Sequence, residues 1–113
     1  MSVERIKKDM PTTTARVFDA VKVFAMAQEI PTYGYIEKRV GLSPRVVQQR
    51  LYAIWKWCAS QGYPHLNAIV VKSKTMLPGQ GYTPNGHEIT ESEFQAMKDK
   101  VFAFQWESIK FPG

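Results

Sequence analysis

Cysteine, histidine and long apolar runs are all scarce in this sequence of 113 residues. The single cysteine, Cys58, excludes an intramolecular disulfide and suits a reducing compartment. No apolar run approaches the ~20 residues that span a bilayer. The charged residues 2–9 also lack the apolar centre of a signal peptide. We therefore expect a cytoplasmic protein with no membrane partner.

The groupings of residues that catalysis or metal binding requires are also missing. A zinc site built from His65, His87 and Cys58 lacks a fourth ligand and has no Cys-x-x-Cys spacing. Residues 79–81 are not followed by the Lys-Ser/Thr pair of a phosphate-binding loop. The dipole of a helix N-terminus accounts for three neighbouring carboxylates, Glu88, Glu91 and Glu93. We expect no enzyme activity, no metal and no cofactor.

The composition indicates one folded domain over residues 1–113, with 44% hydrophobic and 12% aromatic residues. The formal net charge of +5 is unevenly distributed. Residues 1–63 contain ten Lys or Arg and five Asp or Glu, whereas residues 64–113 contain five of each. The positive field of the N-terminal half favours an anionic partner, and a location at the nucleoid.

The first helix is predicted to follow a charged leader, residues 1–11, which ends at Pro11. Proline disfavours helix at the residue before it, and the threonines at 12–14 are good N-caps. We expect this helix to end near Glu29. Its predicted core stripe is Val17, Phe18, Val21, Phe24, Ala25 and Gln28.

Two further helices are predicted on either side of a tight turn. Thr32 is placed to cap the second helix, which ends at Gly41, and Ser43 caps the third helix with Pro44 in its first position. The residues predicted to face the core are Ile36, Val40, Val47, Leu51, Ile54 and Cys58.

The C-terminal half changes character. Residues 66–72 are rich in β-branched side chains and predict a strand. The Gly- and Pro-containing residues 73–84 predict a long hairpin with a short returning strand near residues 81–83. Thr90 and Glu93 form a capping box for a last helix. Residues 106–111 form an apolar tail that we expect to pack back on the domain.

A helix, a helix-turn-helix, a strand and a hairpin together resemble a winged helix-turn-helix domain over residues 12–84. Gly41 matches the turn glycine, while Leu42 and Val47 match apolar positions of that family. Glu37 departs from it, because the family prefers a small residue there. The resemblance implies an α+β, mainly α fold with a β-hairpin wing, followed by an additional C-terminal helix within residues 85–113. Residues 67–71 and 77–82 are also similar to small uncharacterised proteins of phages and mobile elements.

The third helix carries basic and amide side chains on its outer face, and this pattern predicts binding to double-stranded DNA. Arginine suits guanine and glutamine suits adenine in the major groove. The predicted base-reading residues are Arg45, Gln48, Gln49 and Tyr52. The predicted phosphate contacts are Lys38, Arg39, Arg50, Lys56, Lys72 and Lys74. We expect a transcriptional regulator or accessory factor of a phage or mobile element.

The aromatic residues near the turn leave other interpretations open. Tyr33, Tyr35, Tyr52, Trp55 and Trp57 are typical of stacking on single-stranded bases, although core packing is favoured for both tryptophans. Three of these side chains, Tyr52, Trp55 and Trp57, also suit a protein-interaction module, such as an inhibitor or adaptor that docks on a host protein. The C-terminal helix and its tail offer a surface for a homodimer.

Overall fold

Helices dominate the chain. The computed structural model describes residues 3–79 and 81–112, with side chains described from Thr12 onward. The elements are α1 (Val3–Ala27), α2 (Tyr33–Val40), α3 (Pro44–Gln61), a 3₁₀ helix (Leu66–Ile69) and α4 (Glu91–Ala103). The mainly α class is confirmed. None of the helices in the described ranges is both long enough and apolar enough to cross a bilayer.

Helix α1 begins earlier than the sequence predicts. It starts at Val3 and continues through Pro11, so the predicted start after the leader is wrong; residues 1–2 of that leader lie outside the described residues. A proline removes one backbone hydrogen bond from a helix, and the remaining bonds of this long helix carry it past the proline. The predicted core stripe is confirmed at its centre, where the buried residues are Val17, Phe18, Val21 and Ala25.

The α2–turn–α3 segment forms as predicted. Thr32 Oγ1 accepts a hydrogen bond from the Tyr35 amide at 3.2 Å, and Ser43 Oγ accepts one from the Val46 amide at 3.4 Å. Gly41 ends α2 with a φ of +69°, the left-handed conformation that favours glycine. The predicted inward residues are all buried in one core cluster: Ile36, Val40, Val47, Leu51, Ile54 and Cys58.

The predicted strand at residues 66–72 is wrong. Leu66–Ile69 is a 3₁₀ helix, in which the Ala68 amide donates to the His65 carbonyl at 2.9 Å. The remaining strand-like contact is a single parallel bridge between Val71 and Thr32. A run of buried β-branched residues suits either a strand or a buried turn, and no second strand lies beside it in the described part of the chain. The segment instead fills the space between α1, α3 and α4.

The predicted β-hairpin wing is also absent from the described residues 73–79 and 81–84, which form turns and irregular loop; Gln80 lies outside them. A tight loop is closed by the Lys72 amide, which donates to the Leu77 carbonyl at 2.9 Å. Two prolines in this segment lack the N–H group that a strand ladder requires. The loop then packs against α2, where the Gly79 amide donates to the Tyr33 hydroxyl at 2.9 Å.

The C-terminal residues pack back on α1 and α3, which confirms that expectation. The predicted capping box of Thr90 and Glu93 is present at the start of α4. Trp106 is only 1% exposed, and its Nε1 donates to the Val101 carbonyl at 2.8 Å. Lys22 Nζ donates to the Ile109 carbonyl at 2.7 Å. An aromatic cluster results, made up of Phe18, Trp57, Tyr63, Phe104, Trp106 and Phe111.

Candidate nucleic-acid interface

A cleft of about 310 Å³ opens beside the first half of α3. All four predicted base-reading residues line it: Arg45, Gln48, Gln49 and Tyr52. The other lining residues come from α2, α3 and the segments after it: Tyr33, Leu51, Trp55, Asn67, Gly81 and Tyr82. The outer face of α3 is therefore one wall of a concave site, which the helical periodicity alone did not indicate.

Trp55 is at the centre of the aromatic wall of this cleft. Its ring meets Tyr52 and Tyr82 edge to face, with centroids 5.4 and 5.1 Å away. Lys56 Nζ lies 4.1 Å from the centroid of the Trp55 ring, within the range of a cation–π contact. Tyr52 remains 54% exposed. The wall therefore combines a packed indole with an accessible phenol ring and a positive charge.

Tyr82, a second tyrosine of the cleft, is held in place by a hydrogen bond with His65. Its hydroxyl lies 2.6 Å from His65 Nδ1. Burial raises the pKa of Tyr82 well above its ordinary value, so this phenol stays neutral. Burial, together with the charge of Lys56, lowers the pKa of His65. The pair is therefore an uncharged hydrogen-bonded contact at neutral pH, and it fixes the ring of Tyr82 against Trp55.

The far wall of the cleft is formed by Tyr33, at the start of α2. Burial raises the pKa of the Tyr33 hydroxyl, while the hydrogen bond from the Gly79 amide acts in the opposite direction. A Cβ atom at position 79 would lie only 2.7 Å from the Tyr33 oxygen. Glycine at this position therefore allows the loop to approach α2 closely enough to hold Tyr33 beside the cleft.

Asn67, which lies in the buried 3₁₀ helix, contributes an amide side chain to the lining of the cleft. The residue is 5% exposed, and its Oδ1 has no hydrogen-bond partner among the described residues. A buried polar atom without a partner is costly and rare in folded proteins. Its neighbours in the sequence, Leu66 and Ala68, are fully buried and apolar. Asn67 thus lines the cleft, while its Oδ1 is itself buried and unpaired in an apolar setting.

The predicted phosphate-binding residues do not all share one surface. Lys72 lies in a groove with Gln48, and Lys74 lies beside Tyr33, so both flank the cleft. Arg39 instead lines a groove against α1. Arg50 points to the same helix, where its Nε donates to Thr13 Oγ1 at 2.7 Å. Lys38 is exposed on α2. The basic side chains therefore divide between the cleft side and the α1 side of the domain.

The two tryptophans of α3 both pack within the domain, as favoured from the sequence. Trp57 meets Phe18 and Phe111 in the aromatic cluster, with centroids 5.5 and 5.1 Å away. Trp55 is 9% exposed at the cleft wall. Of the aromatic residues proposed as interface anchors, Tyr52 is the one whose ring is largely accessible.

The candidate metal ligands are placed apart. His65 is paired with Tyr82, and Cys58 is buried in the core of α3. His87 Nε2 lies 3.0 Å from Glu93 Oε1, beside the capping box of α4. Hydrogen bonds from the Thr90 backbone, and from the Asn85, Thr90 and His87 side chains, lower the pKa of Glu93 to about 2. No group of three or more His, Cys, Asp or Glu is arranged to hold a metal ion within the residues that the structure describes.

Asn67 and Tyr82 line the cleft but were not among the predicted site residues. Both follow α3 in the sequence, and only the packing of the 3₁₀ helix and the loop brings them beside it. The one local signal was a polar amide in the otherwise apolar run of residues 66–71. No family model, no curated protein and no solved structure matches this chain.

Proposed function

We propose that the protein binds double-stranded DNA through the outer face of α3, as a cytoplasmic, nucleoid-associated regulator or accessory factor of a phage or mobile element. The observation that carries this proposal is the convergence of Arg45, Gln48, Gln49 and Tyr52 on one accessible surface. The side chains of this set offer hydrogen-bond donors and acceptors suited to base edges. The capped α2–turn–α3 unit supplies a rigid support for them.

Electrostatics support the same surface. Within the described ranges, one ion pair is present, between His87 and Glu93 at the start of α4. The cations Lys38, Arg45, Lys72 and Lys74 form no ion pair with a carboxylate in those ranges, and Glu37 is the acidic residue that lines a groove with one of them, Lys72. Cations without a carboxylate partner, next to a helix that can enter the major groove of DNA, strengthen the binding of a polyanion and accelerate its association.

The loop after the 3₁₀ helix takes the place of the predicted wing in this proposal. Lys72 and Lys74 project from it beside Tyr33, which is the side on which a flanking DNA backbone would run. We assign these two lysines, together with Lys38 and Lys56, to phosphate contacts, and leave out Arg39, which lines the groove against α1. Arg50 is assigned to positioning, because its guanidinium is bonded to Thr13 of α1. The resemblance to a winged helix-turn-helix domain is therefore limited to the helix-turn-helix.

The test is the affinity for a selected duplex and for a scrambled duplex, measured by fluorescence anisotropy over a range of salt concentrations. Arg45→Ala should cost about 1–3 kcal/mol on the selected duplex and relax the sequence preference. Lys38→Ala should weaken both duplexes alike and reduce the salt slope by about one charge. Lys100→Ala is the matched control, because this exposed lysine lies beside Gly62 at the other end of α3. A wild type that binds no duplex at low salt would reject the proposal.

The alternative, a protein-interaction module on a host protein, keeps one accessible aromatic anchor. Tyr52 is exposed, whereas Trp55 and Trp57 are packed within the chain. The apolar tail offered for a homodimer is likewise used internally, since Trp106 is buried against Phe18. An aromatic interface should respond little to salt, so the salt series also separates this alternative from DNA binding.

A further inference from the structure

A broad groove between α1 and α2, with a volume of about 650 Å³, is bordered by exposed apolar side chains. Val23 is 63% exposed and Tyr35 is 52% exposed, and both line the groove. Met26, one helical turn after Val23, is 51% exposed. Among the residues that the structure describes, the other large apolar side chains left exposed are those of Tyr52 and Met76. Such a concentration of exposed apolar surface is typical of a protein-interaction site.

The α1–α2 groove also carries charged side chains of both signs. Two cations and two carboxylates line it: Arg16, Asp19, Glu29 and Arg39. All four residues are exposed, and none of them forms an ion pair within the described ranges. The cleft beside α3 differs, because Arg45 lines it without any Asp or Glu among its described residues. The four formal charges of the groove cancel, so they favour neither a polyanion nor a polycation.

The positive end of the groove lies where α2 ends. The Arg16 guanidinium donates to the Val40 carbonyl, which holds this part of α1 beside the last turn of α2. Arg39 directly precedes Val40, so both arginines of the groove lie at this end. Asp19 lies about one turn further along α1. Two cations and one carboxylate leave this end with one net positive charge.

The negative end of the groove lies where α1 ends. In the first turn of α2, Tyr35 meets Phe24 edge to face, with the ring centroids 5.1 Å apart. Helix α1 ends at Ala27, and Glu29 follows as the carboxylate of this end. A rise of 1.5 Å per residue places Ala27 about 16 Å from Arg16 along the helix axis. The groove therefore runs from a positive end to a negative end, with apolar side chains between them.

This polarity suits a second copy of the same surface. A twofold axis turns one copy end for end relative to the other, so that two residues that meet across the interface meet again in exchanged roles. The positive end of each groove then faces the negative end of the other groove, and the apolar side chains meet between them. A different protein would have to supply the opposite polarity, whereas a second copy already has it.

We propose that the α1–α2 groove is the interface of a twofold symmetric homodimer. Val23, Met26 and Tyr35 of the two copies form its apolar centre, and Arg39 of each copy pairs with Glu29 of the other. None of the residues that line this groove also lines the cleft beside α3, so the dimer leaves two α3 faces exposed. This inference goes beyond the proposed binding of DNA and does not depend on it.

The first experiment is sedimentation equilibrium of the full chain over a wide range of protein concentrations. We expect a reversible dimer, and Val23→Asp should weaken it at least about tenfold because a carboxylate would be buried among apolar side chains. Met76→Asp is the matched control, at a similarly exposed position away from the groove. Thermal unfolding confirms that each variant folds. A wild type that stays monomeric would overturn the proposal and leave the groove to another protein. A folded Val23→Asp variant that dimerises like the wild type would overturn it as well.

The assigned charge pairing is tested by reversing one charge at each end. Arg39→Glu makes both ends of the groove negative and Glu29→Lys makes both ends positive, so each variant alone should dimerise at least about tenfold more weakly than the wild type. An equimolar mixture of the two variants should form a heterodimer, and the double variant should again form a homodimer. Single variants that dimerise like the wild type, or a mixture that stays monomeric, would overturn the pairing of Arg39 with Glu29.

Duplex binding measured by fluorescence anisotropy separates this inference from the proposed function. Val23→Asp keeps every residue of the cleft beside α3, so a monomeric variant that still binds duplex supports both proposals. A wild type that dimerises but binds no duplex at low salt rejects the proposed function alone. A wild type that binds duplex but is monomeric at every protein concentration rejects the homodimer alone.

Discussion

Two aromatic regions on opposite sides of α3 differ in what borders their rings. In the aromatic cluster, which we call the enclosed side, Phe18 and Trp106 are fully buried, and the partly buried Trp57 packs against Phe18, Tyr63 and Phe111. In the cleft, Trp55 has aromatic neighbours but borders open space lined with amides and Arg45. The two tryptophans are two positions apart, which places them about 200° apart around a helix. The same helix thus supports a packed region and an open one.

The difference separates the region that we expect to stabilise the fold from the region that we propose binds nucleic acid. The enclosed side joins α1, α3 and the C-terminal tail through apolar rings and the Trp106 hydrogen bond to the Val101 carbonyl. The open side gathers Gln48, Gln49 and Arg45 of α3 around the cleft, and Asn67 of the 3₁₀ helix also lines it. Substitutions on the enclosed side should therefore lower the free energy of unfolding, while substitutions on the open side should change binding.

The largest expected effect is the loss of unfolding free energy after a substitution on the enclosed side. Trp106→Ala removes a ring that is 1% exposed, and it should lower the free energy of unfolding by about 3–5 kcal/mol in urea denaturation. Tyr52→Ala on the open side is the matched aromatic substitution, and it should change stability by no more than about 0.5 kcal/mol. Equal losses in the two variants would contradict the division between the two sides.

An intermediate effect on stability is expected where the loop after the 3₁₀ helix contacts Tyr33. Gly79→Ala places a Cβ atom 2.7 Å from the Tyr33 hydroxyl oxygen, and the crowding should cost about 1–3 kcal/mol of unfolding free energy. The same substitution in a Tyr33→Phe background should cost less, because the crowding oxygen is gone. A double-mutant cycle measured by thermal or urea unfolding checks this coupling. Additive effects of the two substitutions would show that the loop does not rest on Tyr33.

The smallest expected effect concerns acid stability at the start of α4, away from both regions. The pKa of Glu93 falls from 4.5 to about 2 in the folded chain. Because the folded-state pKa is depressed, its contribution is complete above pH 4.5 and is lost as the pH falls toward 2. Glu93→Gln should flatten the decline of stability across that window, with Glu91→Gln as the control. A variant that keeps the full wild-type decline in denaturant titrations at several pH values would contradict the assignment.

Local signals in the sequence were sufficient for the α2–turn–α3 unit. Thr32, Gly41, Ser43 and Pro44 act on backbone groups within a few residues, so their effects are readable without knowledge of the rest of the fold. The capping box of α4 was readable for the same reason. Such short-range hydrogen bonds are determined by residues that are already neighbours in the chain.

Long-range packing determined what the sequence did not reveal. The β-branched run that includes Ile69 and Val71 predicts a strand, yet a strand requires a partner, and the fold supplies one isolated bridge to Thr32. The cleft depends on Tyr33, Asn67 and Tyr82, which are separated by 34 and 15 positions in the chain, that is, 67 − 33 and 82 − 67. Neither periodicity nor capping reports that such residues meet.

Alkylation of Cys58 can be used to measure opening of the core. This residue is the sole cysteine of the sequence, and its side chain is 0% exposed on the inner face of α3. Burial also raises the pKa of this thiol, so the reactive thiolate is scarce while the core is closed. The rate at which an alkylating reagent modifies the native protein therefore measures how often α3 separates from its neighbours, with no label or substitution required.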